Sequence, residues 1–161
     1  MKRILIIFAS IFIIGTLLSA DEAKKDDSGE QKISKTEAEY IADLSSDDED
    51  TVLQAADWLG KEEKKAAVTK LKDLLGVDKR IKVRMYAAIA LGLIKDENSI
   101  ESLNDALLID QNVDVRYAVL LAISRIGSSK SIDALRKAKE IETDPFIKDF
   151  FEKMEEKERG K

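Results

Sequence analysis

From about Ile81 the apolar residues Val83, Ala87, Ala90, Leu91 and Ile94 recur at the three-, four- and seven-residue spacing of one helical face. The polar break "KDENS" follows, and Ile100, Leu103 and Leu107 then mark one face of a second helix over about Ser99 to Leu108. The same pattern returns 32 residues later. Val83, Arg84, Ala90, Ile94, Ser99, Ile100 and Leu103 fall on Val115, Arg116, Ala122, Ile126, Ser131, Ile132 and Leu135, all identical in type. A fainter copy precedes them, with Ala55, Ala56, Leu59, Gly60, Val68 and Leu71 under Ala87, Ala88, Leu91, Gly92, Ile100 and Leu103. A half copy follows, with Ile147, Lys148 and Met154 under Val115, Arg116 and Ala122. A fixed period of this size, with no gaps, predicts an α-solenoid of about three and a half helix pairs. A single pair cannot bury its apolar stripe, whereas stacked copies share one continuous core.

The punctuation agrees with this reading. Gly127 in "RIGSSKS" suits a helix C-terminus, and Ser128 or Ser129 an N-cap. Pro145, after Thr143 and Asp144, suits the first turn of a helix, where its missing N–H costs nothing. Ser34 and Glu37 stand at capping-box spacing and predict a short N-terminal capping helix over 34–46. The repeat domain then runs over 47–161. Small residues are expected where neighbouring copies touch, at Ala90 and Ala122, with Trp58 and Met154 filling the same position at the two ends.

The first 33 residues follow a different logic. Lys2 and Arg3 precede an apolar run from Ile4 to Leu18, and Ser19 and Ala20 end it. That is the order of a secretory signal peptide over 1–20, too short for a comfortable membrane span. A polar, mixed-charge linker over 21–33 follows. The expectation is a periplasmic or secreted protein that meets the membrane only through this N-terminal segment, if it stays uncleaved.

Composition narrows the chemistry. A net charge of -5 leaves no basic stripe for a polyanion, so nucleic acid is not an expected partner. The chain has no cysteine and no histidine. That removes disulfides, thiolate sites and the commonest general base and metal ligand. No Gly-rich phosphate loop is present, and the four acids of "SSDDEDT" lack the alternation and turn glycine of a calcium loop. The expectation is no metal, no cofactor and no enzymatic activity.

The pattern "VR..AA.ALG.I.D......L...L" resembles the HEAT repeat, in the short form of the phycobilin-lyase-type HEAT-like proteins, and the resemblance is best in units two and three, Asp78–Leu108 and Asp110–Ile141. The resemblance extends over about Asp47 to Met154, and unit one departs from it, with Thr51 and Val52 where Val-Arg is expected. It implies a protein-binding scaffold whose second helices line the binding face. Outward positions on those helices form the columns Thr69, Glu101 and Asp133; Lys72, Asn104 and Arg136; and Asp73, Asp105 and Lys137. Their mixed signs suit a protein partner. Phe146 and Phe150 on the last helix are a second candidate surface, and also a candidate cap. An acid precedes a base by six residues in three successive units: Asp78 and Arg84, Asp110 and Arg116, Glu142 and Lys148. This ladder reads as structural, each base tying its turn to the neighbouring repeat. The alternative to a scaffold is a small-ligand-binding or lyase-like HEAT enzyme, and open solenoid ends also allow self-association.

Overall fold

A computed structural model describes residues 35–159, so the predicted signal peptide and linker lie outside the described residues. Among the described residues eight α-helices follow one another: α1 (Glu37–Asp43), α2 (Glu49–Lys61), α3 (Val68–Val77), α4 (Ile81–Ile94), α5 (Ile100–Ile109), α6 (Val113–Ile126), α7 (Ile132–Ile141) and α8 (Pro145–Arg159). The pairs α2–α3, α4–α5 and α6–α7, with α8 as the last half, are the three and a half units of the period. Unit one is a complete helix pair despite its weaker sequence, because Ala55, Ala56 and Leu59 are buried just as their later counterparts Ala87, Ala88 and Leu91 are. Among the described residues no helix is long and apolar enough to cross a membrane.

Each element starts for a local reason. α1 has a complete capping box, but its residues are Thr36 and Glu39 rather than Ser34 and Glu37. Thr36 accepts from the Glu39 N–H while the Glu39 carboxylate takes the Thr36 N–H, and Ser34 lies outside the described residues. Asp48 caps α2, Asn112 caps α6, and Asp144 accepts from the N–H groups of Phe146 and Ile147 beside Pro145. The second helices α3, α5 and α7 are each entered through one turn of 3-10 helix, at Lys65–Ala67, Glu97–Ser99 and Ser129–Ser131. α4 and α6 both end on a left-handed residue. Gly127 takes that conformation in α6, while Lys95 holds it in α4 at φ 55°.

The first helices stack α2 on α4 on α6, and the second helices pack along them. The closest approach is made by glycine. A Cβ added to Gly60 would lie 2.8 Å from the Ala90 Cα, and one added to Gly92 would lie 2.6 Å from the Ala122 Cα. The predicted small positions Ala90 and Ala122 are therefore the floors on which the preceding helix rests. At the N-terminal end Trp58 stacks flat on Tyr40 of α1, with ring centroids 4.1 Å apart. This closes the array with a helix that is not part of the repeat.

Candidate functional site

The grooves lie between second helices, where two neighbouring rods leave a furrow. Between the N-terminal halves of α3 and α5 is a polar furrow of about 840 Å³. Thr69 and Lys72 line one wall, Glu101, Asn104 and Asp105 the other, and Lys65 and Lys130 stand at its ends. Lys72 also lines a smaller furrow of about 490 Å³ between the C-terminal halves of the same helices, with Asp105, Asp78 and Arg84. Glu101, Asp105 and Lys72 thus line one furrow with both signs of charge. The arrangement offers alternating donors and acceptors to a polar peptide surface and no isolated reactive group.

Of the eleven candidate contact residues, five thus come together. The others do not join them. Asp73 faces the opposite side of α3, in a furrow against Leu44–Asp47. Asp133 and Arg136 pair with each other on α7 at 3.0 Å, and Arg136 borders a separate groove against α8. Lys137 is exposed on α7. Asn104 is less free than its column implied, since its Nδ2 donates to the Lys130 carbonyl at 3.2 Å. Phe150 is half-buried and meets Tyr117 edge-on at 5.7 Å, and Phe146 lies tilted on the same ring at 4.9 Å, although it remains 60% exposed. The columns fail as one surface because residues such as Lys72 and Asn104 point sideways, between adjacent helices.

The acid–base ladder is built, and its rungs run forward. The Arg84 Nε and Nη2 donate to both oxygens of Asp110, at 2.7 and 3.1 Å. Arg116 grips both oxygens of Glu142 in the same way, at 2.9 Å each. Each arginine spends its remaining nitrogen on the carbonyl of the acid six residues before it, Asp78 for Arg84 and Asp110 for Arg116. The side-chain partner is therefore the acid of the next unit, and the one behind meets the base only through its backbone. Unit one has Val52 where the arginine would be, and Arg80 takes its place, binding the Asp78 carboxylate and the carbonyls of Ser46 and Asp47. Sequence reasoning missed Arg80, whose signal was an unmatched first acid. Lys148, the last base, has no ion pair among the described residues.

Each of these guanidinium groups spends four of its five N–H donors inside the ladder, and the neighbouring carboxylates are engaged as well. Burial would push the Glu142 carboxyl up, but Arg116 and the N–H groups of Asp144 and Thr143 hold it below the usual glutamate range. Arg80 lowers Asp78 by the same kind of paired hydrogen bonds. In "SSDDEDT", Asp48 is spent on capping, accepting from the Thr51 N–H at 2.8 Å.

Residues 77–149 match the family described as HEAT repeats. That match agrees with the all-α solenoid of the described residues. The chain is similar to a solved structure, the complex of CpcE and CpcF of phycocyanin lyase from Nostoc sp. PCC7120. The two are 26% identical with a TM-score of 0.61, over 70% of this chain and 45% of that one. This chain thus spans less than half the length of that neighbour. No curated protein matches it. The likeness overturns one sequence-based expectation, that the chain is not an enzyme: the structure it resembles belongs to a lyase.

Proposed function

We propose that this HEAT-repeat chain binds a protein partner through the furrow between α3 and α5, as one component of a larger assembly outside the cytoplasmic membrane. One observation carries the reading: the furrow gathers Thr69, Lys72, Glu101, Asn104 and Asp105 on two rigid helices of neighbouring repeats. A polar surface of mixed sign on rigid elements favours a specific protein contact through complementary charge. Support for an assembly comes from the neighbouring structure, which is itself a complex of two chains. The exported location rests on the order of Lys2, Arg3, the apolar run and Ser19–Ala20.

The test is capture. A C-terminal tag, mild crosslinking in the native cell and mass spectrometry of what is retained would identify the partner. A variant with Lys72→Glu, Glu101→Lys and Asp105→Lys reverses the furrow's charges while keeping the helices. Loss of one envelope protein in this variant is the expected result. Capture of nothing by the unaltered chain would end the proposal, and a partner that ignores the variant would move the contact elsewhere. The location is tested by cell fractionation, where the chain is expected outside the cytoplasm.

A second reading is favoured by the likeness to a lyase structure, namely a lyase-like activity on a small ligand held in the same furrow. It is distinguished by incubating the purified chain with phycocyanin and following the visible absorbance. A time-dependent change lost in the furrow variant would select this reading over a purely binding one.

A further inference from the structure

The repeat provides its own reference for what each position should meet. Val68, Ile100 and Ile132 are one position in α3, α5 and α7, and they are 6%, 2% and 53% exposed. The first two are covered because α5 lies over α3 and α7 over α5. No described helix lies over α7. Ile132 and Leu135 instead line an apolar groove of about 320 Å³ with Phe151 and Met154 of α8, and Arg136 and Lys139 stand at its rim.

α8 has been altered in the opposite sense. Ala88 and Leu91 of α4, and Leu120 and Ile123 of α6, are buried on the side that receives the next helix. The equivalent residues of α8 are Glu152 and Glu155. Lys139 pairs with Glu155, whereas Glu152 has no ion pair among the described residues and Arg136 has only the exposed Asp133. The C-terminal end face is therefore divided. Its α8 half carries the Glu152 carboxylate beside Glu155, which Lys139 and Arg159 already hold, and its α7 half is apolar with cations beside it.

We infer that this end face is a two-fold interface with a second copy of the chain, in which α8 of each copy lies over α7 of the other. A face with the Glu152 carboxylate on one half and an apolar groove rimmed by Arg136 on the other matches itself after a half-turn. Rotation sets Glu152 of one copy near Arg136 of its mate and covers both Ile132 side chains. Such an isologous contact closes on itself and builds no filament. Head-to-tail stacking has no seat, because the N-terminal end is sealed by α1 with Tyr40 stacked on Trp58. The interface uses a different surface from the α3–α5 furrow and stands independently of it.

Sedimentation velocity of the full chain tests the inference, with helical circular dichroism as the folding control. The expected result is a species of twice the chain mass. Ile132→Lys is expected to sediment as a single chain with an unchanged helical spectrum. Glu152→Arg should weaken association about tenfold, and adding Arg136→Glu to it should restore the dimer. The chain has no cysteine, so Arg136→Cys and Glu152→Cys copies produced together can be joined by a short bismaleimide without background. A single-chain mass at about 100 μM would overturn the inference. So would a dimer indifferent to Ile132→Lys, failure of the paired charge reversal to rescue, or another protein on this face that Ile132→Lys releases. Partner capture by the furrow is read separately, so either proposal can fail alone.

Discussion

At the scale of single residues the array is held at points where substitution has little room. Gly92 has backbone and side-chain atoms of Ala122 within 2.7 Å of a would-be Cβ, and those atoms belong to a buried helix that cannot swing aside. Gly92→Ala should therefore cost about 2 kcal/mol through overpacking, measured by urea denaturation. Gly76→Ala is the control, since a Cβ there meets nothing within 4 Å. In a helix it should stabilise by about 0.5–1 kcal/mol. The Arg116–Glu142 pair makes a second prediction. The folded Glu142 carboxyl sits below its unfolded value of 4.5. Its contribution to stability is thus present above about pH 4.5 and lost as pH falls through the lower folded value. Glu142→Gln should lower stability by about 2 kcal/mol at pH 7 and flatten the fall in melting temperature between about pH 5 and 3. A variant whose acid dependence matches the parent's would sink that assignment. The period showed these residues as a ladder but not the direction of its rungs. An acid six residues behind and another 26 ahead recur with equal regularity, and only the fold decides which carboxylate a forward-pointing arginine can reach.

At the scale of elements, helix positions were legible and faces were less so. The apolar stripe located α4 to within a residue and Gly127 marked the end of α6, because periodicity and left-handed caps are local physics. The cap of α1 was misplaced by two residues because Ser34/Glu37 and Thr36/Glu39 carry the same spacing, and the choice rests on where the helix begins. The contact columns were harder, since a position that looks outward on one helix can lie in the furrow between two. Capping offers a clean test. The Asn112 Oδ1 accepts from the N–H groups of both Asp114 and Val115. Asn112→Ala should cost about 1 kcal/mol. Asn112→Asp should retain most of it, as a charged cap also favours the helix N-terminus. Parallel melts of the two variants read the difference.

At the scale of the whole array, stability is a sum of units and the contacts between neighbours, so the middle should outlast the ends. α4 is covered by α2 on one side and α6 on the other, whereas α1 has no buried residue of its own and leans on α2 through Tyr40. Native-state hydrogen exchange should therefore find the slowest amides in α4 and α6, and amides of α1 at least about tenfold faster. The distinguishing experiment is a pair of variants. Trp58→Ala removes the surface on which Tyr40 stacks and should speed exchange in α1 while leaving α6 near its original rate. Gly92→Ala strains the central contact and should speed α4, α5 and α6 together. Uniform acceleration by both would mean that the array opens as one cooperative block, in which case the terminal helix is coupled to the core more tightly than a stack of nearest neighbours allows.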